Sequence, residues 1–108
     1  MRKNREVEME LSGKQRRHLR ALGHHLKPVV HIGLKDLSDA VLEKVDAELG
    51  HHELIKVKCG DNCSLTPKEV GAALEEKLEA HCAQVIGKTV LLYREHPEDP
   101  VIRLPLRA

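Results

Sequence analysis

At 108 residues the chain has room for one domain and not two, and 41% hydrophobic with 32% charged residues is the balance of a compact domain, not a disordered one. Phe and Trp are absent and Tyr93 is the one residue of the Phe, Trp and Tyr set, which nearly excludes base stacking on an aromatic platform as a binding mode. Eighteen Lys and Arg against seventeen Asp and Glu leave a formal charge of +1, so total charge does not point to nucleic acid.

Residues 1–10 read as a polar lead-in without an apolar signal core, and Glu6, Glu8 and Glu10 argue against an organellar transit peptide. Ser12-Gly-Lys-Gln15 has the form of a capping box. The helix it opens places Leu19, Leu22 and Leu26 at helical spacing as its buried stripe, with Arg16, Arg17 and Arg20 off that stripe toward solvent and Gly23 as terminator. Pro28-Val-Val-His-Ile32 is a short β-branched strand. After the tight loop Gly33-Leu34-Lys35-Asp36 comes a helix carrying Leu37, Val41, Val45 and Leu49, capped by Ser38 or Asp36 and ended by Gly50. The second strand, residues 53–59, sets Ile55, Val57 and Cys59 against Lys56 and Lys58. Thr66-Pro-Lys-Glu69 is a second capping box, opening a helix with Val70, Ala73, Leu74 and Leu78. Strands at 83–86 and 89–94 are joined by Gly87-Lys88, a type II′ turn, and residues 95–108 with three prolines form a tail. The order α-β-α-β-α-β-β predicts an α/β sandwich of two or three layers around a four-stranded mixed sheet.

Sorted by position, the charge is far from neutral. Residues 1–31 hold eight Lys and Arg against three acids, and the remainder holds ten against fourteen. From Ser12 to His31 there are five Lys and Arg, four His and no acid. Lys14, Arg16, Arg17, Arg20 and Lys27 are therefore candidate phosphate contacts, with Lys56, Lys58 and Lys88 as weaker ones. A glycine-containing loop feeding a helix N-terminus also offers free N–H groups to a phosphate, with Lys35 adding charge. The alternative at Gly33 is a glycine that merely permits a left-handed turn.

The blocks Leu26-Lys-Pro-Val-Val-His-Ile-Gly33, Leu37-Ser-Asp-Ala-Val-Leu42, His51-His-Glu-Leu-Ile-Lys-Val-Lys58 and Val85-Ile-Gly-Lys-Thr-Val-Leu-Leu-Tyr-Arg94 resemble the CRM (chloroplast RNA splicing and ribosome maturation) domain, including its bacterial YhbY-like form. The similarity runs over about residues 11–104, the extent of the expected domain. The resemblance implies a fold similar to the C-terminal domain of translation initiation factor 3. It also implies RNA binding through a basic surface and a KH-like Gly-x-x-Gly loop, here Gly33, Leu34 and Lys35, and association with large-subunit ribosomal precursors. Such proteins are not enzymes. Asp36 stands where the family has its second glycine, and its carboxylate is expected to repel a phosphate, to compete for the N-cap, and so to weaken the loop's grip.

Other chemistries find less support. His51-His52, Cys59-x-x-x-Cys63 and His81-Cys82 lack the matched spacing of a zinc site, so no metal or other cofactor is expected. A Cys63/His81 nucleophile pair has no orienting group or oxyanion hole by motif, and no small-molecule substrate is implied. An odd number of cysteines and no apolar run near the membrane-spanning length suggest a reducing cytoplasm and no membrane partner. The rival reading is a protein-interaction module that kept the fold and lost RNA affinity.

Overall fold

The computed structural model describes residues 10–106, so the polar lead-in falls outside the described residues but for Glu10. Its elements are α1 (Gly13–Gly23), β1 (Pro28–Ile32), α2 (Asp39–His52), β2 (Leu54–Cys59), α3 (Pro67–Leu78), β3 (His81–Ile86) and β4 (Thr89–Tyr93). The order is the expected one.

Both capping boxes form. Ser12 Oγ accepts the Gln15 N–H at 3.1 Å while Gln15 Oε1 accepts the Ser12 N–H at 3.0 Å, and Thr66 and Glu69 repeat the exchange at 3.1 and 2.9 Å with Pro67 at the first helical position. Of the two cap candidates for α2 the residue is Ser38, whose Oγ accepts the Val41 N–H at 3.2 Å. Gly50 does not stop α2. The helix continues to His52 and ends where Glu53 turns to a φ of 61°, placing both imidazoles beside the terminal carbonyls, where a positive charge is favoured. Gly87 has a φ of 57° and Lys88 no positive φ, as a type II′ turn requires.

The sheet order is β1-β2-β4-β3. β1 and β2 are parallel, and β4 runs antiparallel to both β2 and β3. Alternation along the strands sends side chains to two separate cores. Val30, Ile32, Ile55, Val57, Val90 and Leu92 meet Val45, Leu49, Val70 and Leu74 of α2 and α3 on one face. Leu54, Ala83, Leu91 and Tyr93 meet Leu11 and Leu19 beneath α1 on the other, together with Ile102 and Leu104 of the C-terminal segment. The sandwich is thus three layers, with α2 and α3 on one side of the sheet and α1 on the other.

The stripe by which α1 docks is not the predicted one. Its core face is Leu11, Gln15, Leu19 and Gly23, four residues apart, and Leu22 and Leu26 are 45% and 37% exposed. Gly23 permits this approach, because a Cβ there would lie 2.7 Å from Leu91 Cδ1. Gln15 is tolerated in the core because its amide is used twice, in the capping box and in a 3.0 Å bond from Nε2 to the Pro105 carbonyl. Residues 95–106 contain no regular element, yet they are docked, since Ile102 and Leu104 pack into the α1-side core. Arg94 ties the end of β4 to the helical layer, reaching Asp46 Oδ1 at 2.7 Å and the Leu78 carbonyl at 3.2 Å.

Candidate nucleic-acid interface

The charge asymmetry of the sequence becomes an asymmetry between the two sides of the sheet. α1 carries Lys14, Arg16, Arg17 and Arg20 and no acid. α2 and α3, on the opposite side, carry Asp39, Glu43, Asp46, Glu48, Glu69, Glu75 and Glu76 against Lys44, Lys68 and Lys77. The acids Glu95, Glu98 and Asp99 follow the end of β4, whose register places it at the start of β2, the far end of the sheet from the 33–36 loop.

α1 packs mainly on β2, β3 and β4. Register defines a row across the open part of that face: His31 opposite Lys58, Lys58 opposite Thr89, and Thr89 opposite Ile86. His31, Lys58 and Ile86 are exposed. The 33–36 loop leaves β1 at this end, and the turn at Gly87 closes beside it, where the Cys59 N–H bonds the Lys88 carbonyl at 2.8 Å. His31 is the residue sequence reasoning missed. Its signal was its place at an alternate strand position between the inward Val30 and Ile32.

Among the sequence candidates, Lys14, Arg17, Arg20, Lys27 and Lys35 are exposed, and Leu34 at the loop tip is 79% exposed. Three others are engaged. Arg16 does not face freely into solvent: its Nη1 donates to the Cys82 carbonyl at 2.7 Å and to that of Ala83 at 3.5 Å, clamping α1 to β3. Lys88 is paired with Asp61. Lys56 is half-buried, with Nζ 3.5 Å from the His24 carbonyl.

The loop itself is built differently from expectation. Gly33 has no positive φ, and a Cβ added there would meet nothing within 4 Å. Neither a left-handed turn nor internal packing demands this glycine. The left-handed residue is Asp36, with a φ of 50°, closing a turn through its N–H to the Gly33 carbonyl at 3.0 Å. Its carboxylate does not cap α2. Oδ1 accepts the Ser64 N–H at 2.8 Å and Oδ2 the Ser64 hydroxyl at 2.6 Å. These two bonds, with a further one from the Cys63 thiol, hold the Asp36 carboxyl below its ordinary value.

The alternative chemistries are not assembled. His81 stacks on Tyr93 on the α1 side, whereas Cys63 packs against the α2 and α3 core in the loop after β2, at the other end of the sheet. The three cysteines are free, and burial first of all pushes each thiol above its ordinary value, which disfavours the reactive thiolate. Among the described residues no three His, Cys, Asp or Glu are grouped to hold a metal ion, and no helix is long and apolar enough to cross a membrane.

The structure is a three-layer α/β domain with a basic helix on one side of its sheet and an exposed glycine loop. The family model of the CRS1/YhbY (CRM) domain matches residues 11–94, and the chain belongs to that family. It is 37% identical over 95 residues to "Probable RNA-binding protein YqeI" of Bacillus subtilis, covering 88% of this chain and 99% of that protein. It is 40% identical to a Haemophilus influenzae protein named "RNA-binding protein", covering 88% and 95%. The solution structure of the hypothetical protein SAV1595 from Staphylococcus aureus superposes with a TM-score of 0.72 at 35% identity, covering 88% of this chain and 99% of that one.

Proposed function

We propose that the chain is a cytoplasmic, non-enzymatic RNA-binding protein that acts in maturation of the large ribosomal subunit, binding ribosomal RNA within precursor particles. The observation that carries the reading is the segregation of charge. Every Lys and Arg of α1 lies on the side of the sheet opposite the acid-rich helices, and its solvent-facing members are joined there by His31 and Lys58, with Lys35 exposed in the loop at the end of β1. The family membership and the names of the relatives support RNA as the polyanion.

In this reading the exposed cations Lys14, Arg17, Arg20 and Lys27 neutralise phosphates, and the 33–35 segment lets a strand approach the backbone closely at Gly33. Lys56 and Lys88 are secondary contacts, Lys88 after exchange of Asp61 for phosphate. Arg16 acts mainly by holding α1 in place. With Tyr93 buried, the surface reads backbone and shape rather than base identity. Gradient sedimentation of cell extract tests the biological role: the protein migrates with large-subunit precursors. Migration wholly with free protein, together with a protein partner on capture, favours the protein-interaction alternative.

A further inference from the structure

Asp36 occupies the place of a glycine in a loop whose proposed ligand is anionic, and an ordinary aspartate there is a double liability. It must take a backbone conformation that L-residues seldom adopt, and it brings a negative charge to a phosphate site. Both problems meet one solution in the 60–64 loop. Ser64 donates both its N–H and its hydroxyl to the two oxygens of the Asp36 carboxylate, at 2.8 and 2.6 Å. Residues 36 and 64 are 28 apart in sequence, so this is a tertiary tie between the segments that follow the neighbouring parallel strands β1 and β2.

The 60–64 segment has its own anchors. The Gly60 N–H bonds the Ile32 carbonyl at 2.8 Å and the Cys63 N–H bonds the Gly60 carbonyl at 3.2 Å. Ser64 therefore stands on a backbone already fixed to the end of β1.

We propose that Ser64 is a positioning residue for the RNA-binding loop. By holding the Asp36 carboxylate toward the 60–64 loop it keeps residue 36 left-handed and turns the carboxylate oxygens away from the N–H groups of Leu34 and Lys35, doing for this chain what a second glycine does in a Gly-x-x-Gly loop. The proposal rests on the RNA-binding reading. It stands beside the expectation that Asp36 weakens the loop: the carboxylate keeps its charge, and the two Ser64 bonds hold that charge toward the 60–64 loop.

The test compares the full chain with S64A, S64T, D36N and the double variant S64A/D36N. Affinity for a fluorescein-labelled RNA hairpin is followed by anisotropy, with Tm as a control. S64A, which frees one carboxylate oxygen, is expected to bind about 3- to 10-fold more weakly, the span of one net hydrogen bond. S64T keeps the hydroxyl and retains wild-type affinity. Neutralising the released charge in S64A/D36N restores binding to within about twofold of D36N. Equal affinity of S64A and wild type overturns the proposal, and so does a loss in S64A that D36N fails to rescue, which would mark a merely structural contact. Hydrogen exchange at the Ser64 amide reads the tie without RNA. Faster exchange in D36G than in wild type is expected, and equal exchange overturns the tie itself. A wild-type protein that ignores the hairpin while this amide stays protected refutes the RNA reading, and the positioning role with it.

Discussion

The carboxylate of Glu53 accepts the backbone N–H of Ile102 at 2.9 Å, and this contact fastens the C-terminal segment to the start of β2. Glu53 is buried and takes two further amides, from Val101 at 3.0 Å and His96 at 2.8 Å, while its own carbonyl accepts the Arg94 N–H at 2.8 Å. Hydrogen bonds to a charged acceptor outweigh neutral ones, and removing the acceptor strands three donors. Glu53→Ala is expected to lower stability in urea unfolding by about 2–4 kcal/mol and to speed amide exchange at Val101 and Ile102. Glu53→Gly separates backbone from side chain. It relaxes the φ of 61° yet remains destabilising, because the amides still lose their acceptor.

The docking of α1 yields a paired prediction. Leu19 is fully buried and Leu22 is 45% exposed. Leu19→Ala is expected to reduce stability by about 2–5 kcal/mol, and Leu22→Ala by no more than about 0.5–1 kcal/mol. Chemical denaturation of the two variants measures the difference, and equal losses would place the Leu22 stripe against the sheet instead.

Gly33 has no conformational or packing reason to be glycine. Gly33→Ala should therefore raise stability slightly, by about 0.4–1 kcal/mol, because the methyl group restricts only the unfolded chain. If RNA runs close to the loop backbone, the same methyl group weakens binding, and anisotropy titration against the RNA hairpin reads that loss.

Acid should loosen the tie between the loops. Bonds from Ser64 and Cys63 set the Asp36 carboxyl below its ordinary 3.8, so the folded state binds that proton less readily than the unfolded chain. Its stabilising contribution is complete above the ordinary value and is lost as pH falls through the depressed one. Asp61, beside Lys88, is lowered in the same sense. Urea midpoints taken from about pH 5 down to about pH 2 are expected to fall less steeply in Ser64→Ala than in wild type. Parallel curves would show that Ser64 does not set the Asp36 titration.

The order of elements was legible because each boundary carries a local chemical sign: Ser12 with Gln15, Thr66 with Glu69, Gly87 before Lys88. The face of α1 was not. Its core positions include Gln15 and Gly23, which hydrophobic spacing cannot score, while Leu22 and Leu26 supplied a false stripe. The end of α2 was misplaced for a related reason, since Glu53 takes a glycine-like φ and is held there by distant amides. The basic surface was readable as charge, but not which cations are engaged. Arg16 meets carbonyls 66 and 67 residues away, and Asp36 meets Ser64 across 28. Contacts of that range are products of the fold.

The most direct test of the account is the salt dependence of RNA affinity in wild type and in Arg17→Ala/Arg20→Ala. Both residues are exposed, and among the described residues neither makes a fold-supporting bond of the kind Arg16 makes. The account predicts an unchanged Tm, weaker binding, and a slope of log affinity against log salt shallower by about 1.4–1.8, the release of two counterions' worth of contact. An identical slope and affinity in the double variant would contradict the claim that α1 is the phosphate-binding face.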